Sequence, residues 1–141
     1  MKIFSLILTA GLFAISLGAS LPATLLAEDA ETAMLEGDVK AGEKYFKRKC
    51  KSCHNAKDAK RHKTGPNLWN IVDQPGGKQA TYKKYSKDLK NWDGVWDVAN
   101  LDLYLTKPKK MFKKTRMSFS GIRKEQDRAD VIAYLKTLVD E

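Results

Sequence analysis

The 141-residue chain holds only two cysteines, three positions apart, so no disulfide can tie distant parts of the fold together. It has no hairpin signal and no convincing alternation of apolar and polar residues, which argues against a sheet and leaves an all-α chain. Internal repeats and low-complexity tracts are also missing, and a single small domain is the natural count. Acidic residues are in the minority. Against 26 Lys and Arg there are 17 Asp and Glu, giving a net charge of +9. On charge alone that excess would suit acidic proteins or nucleic acid.

The one long apolar run lies at the start. Lys2 precedes Ile3 to Leu21, broken only by Ser, Thr and Gly, and Pro22 and small residues lead to Ala27 before the acidic Glu28-Asp29. This reads as a secretory signal over residues 1–27, with Gly18-Ala19-Ser20 as a second place to cut. The run also approaches the ~20 apolar residues that span a bilayer, so an uncleaved N-terminal anchor is the alternative. Either outcome puts the remaining chain in the periplasm and argues against nucleic acid. Residues 28–37 read as a frayed acidic linker and 38–141 as the domain.

The densest chemistry is Cys50-Lys51-Ser52-Cys53-His54. Two thiols at this spacing can each add to a vinyl group of one heme, and the adjoining imidazole then faces the iron: a covalent heme c site. A redox dithiol would need the motif beside a βαβ unit, and nothing upstream reads as a strand. Zinc would have to recruit Cys50, Cys53, His54 and His62, a spacing that fits tetrahedral ligation poorly. A porphyrin would add buried area to a modest core, so heme loss is expected to unfold the domain.

Asp38 can cap a helix carrying Val39, Gly42, Tyr45, Phe46, Cys50 and Cys53 at intervals of three and four. A loop is expected from Lys57 to Gly77, short helices near Lys83 to Lys90 and Asp97 to Lys107, the second stopped by Pro108, and loop again from Lys109 to Gly121. The clearest helix runs from Lys124 to Val139, with Val131, Ile132, Leu135, Leu138 and Val139 as its apolar stripe.

From Gly37 to Glu141 the chain resembles class I cytochrome c, in the branch shared by mitochondria and photosynthetic or respiratory bacteria. The marks are Gly42 and Phe46, the Cys-x-x-Cys-His motif, Thr64-Gly65-Pro66-Asn67-Leu68, Trp96, Tyr104, Pro108-Lys109-Lys110, Thr115-Arg116-Met117-Ser118-Phe119 and Ile132-Ala133-Tyr134-Leu135-Lys136. The resemblance implies crossed first and last helices with short helices and loops around one heme, and a one-electron carrier with both axial positions filled. His54 would fill one and Met117 the other; a lone methionine is ordinarily core filler, and only the motif lifts Met117 above that. It further implies that the Pro66 carbonyl orients His54, that Tyr85, Trp96 and Thr115 bond a propionate, and that Tyr104 reaches the methionine sulfur. Where the family commonly has Gly-Arg, this chain has Asp73-Gln74. The guanidinium that would neutralise a buried propionate is therefore missing, and one extra residue is inferred between Val72 and Tyr85. Trp69 and Trp92 receive no role.

Removing residues 1–27 leaves +8, since Lys2 is the only charge there. Lys44, Lys49, Lys63, Lys109 and Lys110 flank the heme motif and the methionine segment, and the resemblance implies that they dock acidic redox partners: a cytochrome bc complex, a terminal oxidase or a photosynthetic reaction centre. Membrane contact would come only through such partners or the anchor, and a monomer is expected. The competing class is an enzyme, a heme peroxidase or ligand sensor, which needs an open or labile sixth position and usually a distal acid or base. Met117 argues against it, so a non-enzymatic carrier is expected.

Overall fold

A computed structural model describes residues 36–58 and 61–139. The expected leader, residues 1–27, and all of the linker but its last two residues lie outside them. Glu36 and Gly37 are held against the last helix. The Glu36 carbonyl accepts from Gln126 Nε2 at 3.0 Å, and a Cβ on Gly37 would come within 2.2 Å of the Ala129 carbonyl.

Five helices form among the described residues: α1 (Val39–Lys49), α2 (Lys87–Lys90), α3 (Val98–Thr106), α4 (Pro108–Met111) and α5 (Glu125–Lys136). α1 begins where expected, with the Asp38 carboxylate accepting from Ala41 N at 3.0 Å. Its last turn carries Lys47, Arg48 and Lys49, cations that the carbonyl end of a helix favours. α1 crosses α5 at Gly42, where a Cβ would stand 1.9 Å from the Asp130 carbonyl, so only glycine allows this approach. Asp130 itself is buried and accepts from Asp38 N at 2.8 Å and Gln126 Nε2 at 2.9 Å, which ties the start of α1 to α5 across 92 residues. Phe46 meets Tyr134 across the same contact at 5.4 Å between ring centres.

The middle of the chain departs from the expected boundaries for identifiable reasons. Tyr82 and Tyr85 turn inward and are buried, so helix waits until Ser86, whose hydroxyl accepts from Leu89 N at 3.3 Å. Asp97 caps α3 as a boundary residue, accepting from Asn100 N at 2.7 Å. Pro108 ends that direction but also occupies the first position of α4, where its missing N–H costs nothing. The span from Lys109 to Gly121 is therefore loop only after Met111. α5 stops at Lys136, short of Val139, with Thr137 turning back on the Tyr134 carbonyl.

Although no strand forms among the described residues, two extended pieces pair antiparallel. Asp73 N bonds the Trp96 carbonyl at 3.0 Å, Trp96 N the Gln74 carbonyl at 2.9 Å, and Gly76 N the Gly94 carbonyl at 2.9 Å, around a Pro75–Val95 bridge. This pairing holds the backbone of Asp73-Gln74. Asp73 has φ +59, a left-handed conformation that costs glycine nothing and that Asp tolerates better than most residues. Trp92 lies over Gly76 and Gly94, either of whose Cβ atoms would come within 2.3 Å of the indole, and it packs on Trp96 at 4.7 Å. Its role is to close this side of the core. A half-buried ion pair fixes the other: Arg128 Nε meets Asp102 Oδ1 at 2.6 Å, and its Nη1 donates to the Ile122 and Arg123 carbonyls.

Candidate functional site

α1 delivers Cys50 at its C-cap, and the chain keeps turning: Cys53 N and His54 N both bond the Cys50 carbonyl, at 3.0 and 2.9 Å. That turn puts Cys50, Cys53 and His54 on the wall of one cavity of about 450 Å³, within the range of sites that hold a large ligand. Apolar side chains from every helix but α4 complete the wall, among them Phe46, Leu89, Leu101, Leu105 and Leu135.

His54 is 9% exposed, and its Nδ1 lies 2.8 Å from the Pro66 carbonyl. A carbonyl can only accept, so Nδ1 carries the proton and Nε2 keeps the free lone pair. Burial pushes the imidazole below its ordinary pKa, opposed in part by the Pro66 bond, and the ring is held neutral as a metal ligand must be. The segment that supplies Pro66 is zipped onto the motif by Gly65 N to the Cys53 carbonyl and Leu68 N to the Asn55 carbonyl, both 2.8 Å. Gly65 has to be glycine: a Cβ there would stand 2.3 Å from His54 Cε1.

Cys50 is half-buried and Cys53 exposed, both as free thiols. Burial, reinforced by Cys53, pushes the Cys50 thiol up to about 11. A redox dithiol needs the opposite shift, because its thiolate is the nucleophile. Among the described residues no three His, Cys, Asp or Glu side chains converge as a metal site, which leaves the zinc reading without its ligand set. His62 is turned away from the cavity: its Nδ1 accepts from Asn67 N at 3.0 Å and its Nε2 meets Thr81 Oγ1 at 2.8 Å.

Met117, half-buried on the segment after α4, lines the same cavity as His54. Met111 packs against the core and stays out of the cavity wall. Thr115 Oγ1 accepts from Met117 N at 3.3 Å and lies 3.1 Å from the Tyr104 hydroxyl, so Tyr104 here reaches Thr115 and braces the turn that presents Met117. Trp96, 6% exposed, and Tyr85, whose hydroxyl burial pushes up to about 12, stand on the wall with Ser86. Tyr82 is the wall residue that sequence reasoning missed. It packs on Tyr85 at 4.7 Å and donates to the Thr64 carbonyl at 2.6 Å, and its only advance signal was a second tyrosine three residues before Tyr85.

Of the lysines proposed for docking, Lys49 borders the cavity, and Lys44, Lys109 and Lys110 are exposed. Lys63, also exposed, donates one ammonium N–H to the Lys51 carbonyl. Lys84 and Arg116 also border the cavity.

An apolar chamber with two thiols on its wall, a neutral imidazole fixed from behind, and a thioether on the same surface fits heme c. The family model for Cytochrome c matches residues 39–139. Over 100 residues the chain is 46% identical to cytochrome c of Guizotia abyssinica and 47% to that of Gossypium barbadense, each alignment covering 71% of this chain and 89% of the relative. It is 43% identical over 112 residues to the cytochrome c-type cyt cy of Rhodobacter capsulatus, covering 78% of this chain and 54% of that one. With the match running through α1 to α5, the chain belongs to the cytochrome c family, whose members bind heme c covalently and carry electrons.

Proposed function

We propose that the protein is a periplasmic one-electron carrier that takes an electron from a quinol-oxidising cytochrome bc complex and delivers it to a terminal oxidase or a photosynthetic reaction centre. The observation that carries this reading is the pairing of His54, locked by Pro66, with Met117 on the wall of a single cavity. Bound there, heme c supplies a metal that changes its charge by one without making or breaking a bond to substrate. Cys50 and Cys53 would anchor it, His54 and Met117 would ligate its iron, and Tyr85, Trp96 and Thr115 on the same wall would take its carboxylates. With both His54 and Met117 as ligands, the iron would offer no free position to oxygen or peroxide, as suits a carrier and not a peroxidase.

Export rests on Lys2 and the apolar run from Ile3 to Leu21, and likeness to a bacterial relative supports it. A soluble protein starting near Glu28, released by outer-membrane disruption, is the expected form. Intact Met1 in a salt-washed membrane pellet would instead establish the anchored form.

The partner assignment is tested by mixing the heme-loaded protein with a purified cytochrome bc complex and following its reduction. Positive lysines near the cavity attract an acidic partner over ~30 Å at 0.01 M salt but only ~10 Å at 0.1 M. The second-order rate is expected to fall at least tenfold over that range and to drop when Lys49, Lys109 or Lys110 is neutralised. No reduction at any salt would sink the assignment.

A further inference from the structure

The segment that carries Met117 runs between α4 and α5 with no helix of its own, so its position has to come from its neighbours. At its start the neighbour is Tyr104 on α3, whose hydroxyl lies 3.1 Å from Thr115 Oγ1, and Thr115 Oγ1 in turn accepts from Met117 N at 3.3 Å. At its far end three ties meet on Ile122. The Ile122 N–H bonds the Leu105 carbonyl at 2.8 Å, its side chain is fully buried, and its carbonyl accepts from Arg128 Nη1 at 3.1 Å. The same Nη1 donates to the Arg123 carbonyl at 3.2 Å.

Arg128 belongs to α5, yet its Nε is taken by Asp102 on α3 at 2.6 Å. Asp102 and Tyr104 stand on the same helix, so α3 holds the start of the Met117 segment directly and its far end through Arg128. A guanidinium can serve one carboxylate and two carbonyls at once because its five N–H groups point in fixed directions. A lysine in its place keeps a charge beside Asp102 and loses that fork. For stability alone the pair is a weak device, since apolar residues of similar volume often hold a core as well. What apolar residues could not do is satisfy the Ile122 and Arg123 carbonyls, and charge-assisted bonds to the backbone are the stronger kind.

We propose that Arg128, aligned by Asp102, is a positioning residue for Met117: it latches the far end of the segment and so sets how often the thioether leaves its place at the cavity. Neither Arg128 nor Asp102 lines the cavity, so the latch acts only through the backbone of residues 122 and 123. This rests on the carrier reading above, in which Met117 ligates the iron.

The test follows cyanide binding and the weak sulfur-to-iron absorption of the oxidised, heme-loaded protein in three forms: unmodified, R128K, and D38A, which removes the cap of α1 and leaves the ties of the Met117 segment in place. Cyanide binds only where Met117 has left, so its apparent affinity rises with the fraction of open molecules. For R128K that affinity is expected to rise about tenfold, the effect that one lost charge-assisted bond has on an equilibrium. Its absorption is expected to fade at a temperature below the loss of helix signal, and the amides from Ser118 to Ile122 to exchange with deuterium faster. D38A is expected to unfold at a lower temperature with its cyanide affinity unchanged. If R128K behaves like D38A, Arg128 only stabilises the fold and the latch is overturned. If R128K does not fold, D102N decides by the same readouts: a rise in cyanide affinity supports the latch, and no rise overturns it. An unmodified protein without the absorption would instead remove Met117 as a ligand, and the carrier reading with it.

Discussion

Replacing Met117 with alanine is expected to lower the reduction potential by ~0.2 V or more within the ~0.8 V span that axial ligands control. A thioether is soft and neutral and therefore stabilises the reduced iron relative to the oxidised one; without it that preference goes, and water or an added anion takes the position. The weak sulfur-to-iron absorption at the red edge of the visible spectrum is expected to vanish, and cyanide and peroxide to gain access. Met111→Ala is the control, since Met111 packs on the core outside the cavity wall. It is expected to cost about 2 kcal/mol of stability, as truncated core side chains do, and to leave the potential and the band unchanged. If M117A keeps the band, the sulfur ligand is another residue and the carrier reading loses its sixth position.

The place of Met117 on the cavity wall was legible in the sequence because it sits inside a motif, and so were those of Cys50, Cys53, His54 and Pro66, whose surroundings are local. The long helices were legible for the same reason. Asp38 caps α1 through its own neighbours, and the stripe of Val131, Ile132 and Leu135 needs only a helical period. What the sequence hid is what depends on distant partners. Tyr82 becomes wall through Thr64 and Tyr85, and Trp92 acquires its place from two glycines that approach only once residues 73–76 pair with 94–96. The charge of a lysine was legible, but its local anchoring was not. Lys63 donates to a carbonyl 12 residues away, and the backbone N–H of Lys114 is held by a carboxylate 26 residues away. Pro108 was read only as a stop because a proline's second use, as the first residue of the next helix, shows only when the chain beyond it turns.

The heme-free chain is expected to lose its native helix signal and its cooperative thermal transition, because much of the core is also the wall of the cavity. Phe46, Leu89, Trp96, Leu101, Leu105 and Val131 are all buried and all line the cavity, which leaves Phe112, Ile122, Ile132 and Leu138 as the smaller part of the core off its wall. At ~24 cal/mol per Å³, keeping the 450 Å³ cavity open and dry would cost on the order of 10 kcal/mol, against the ~5–15 kcal/mol that holds a small domain together. Water can reach the polar rim at Lys49, Lys84 and Arg116, but the wall of Leu, Phe and Val behind it offers few partners to hydrogen-bond. The chain is therefore expected either to collapse α2 and the Met117 segment inward or to unfold. The crossing of α1 and α5 at Gly42 and Asp130 lies outside the wall and has a basis for persisting. Far-UV circular dichroism of chain made without heme attachment tests this directly. A native-strength helix signal with a sharp transition would mean that the core stands without heme, and that the fold precedes the site instead of being built around it.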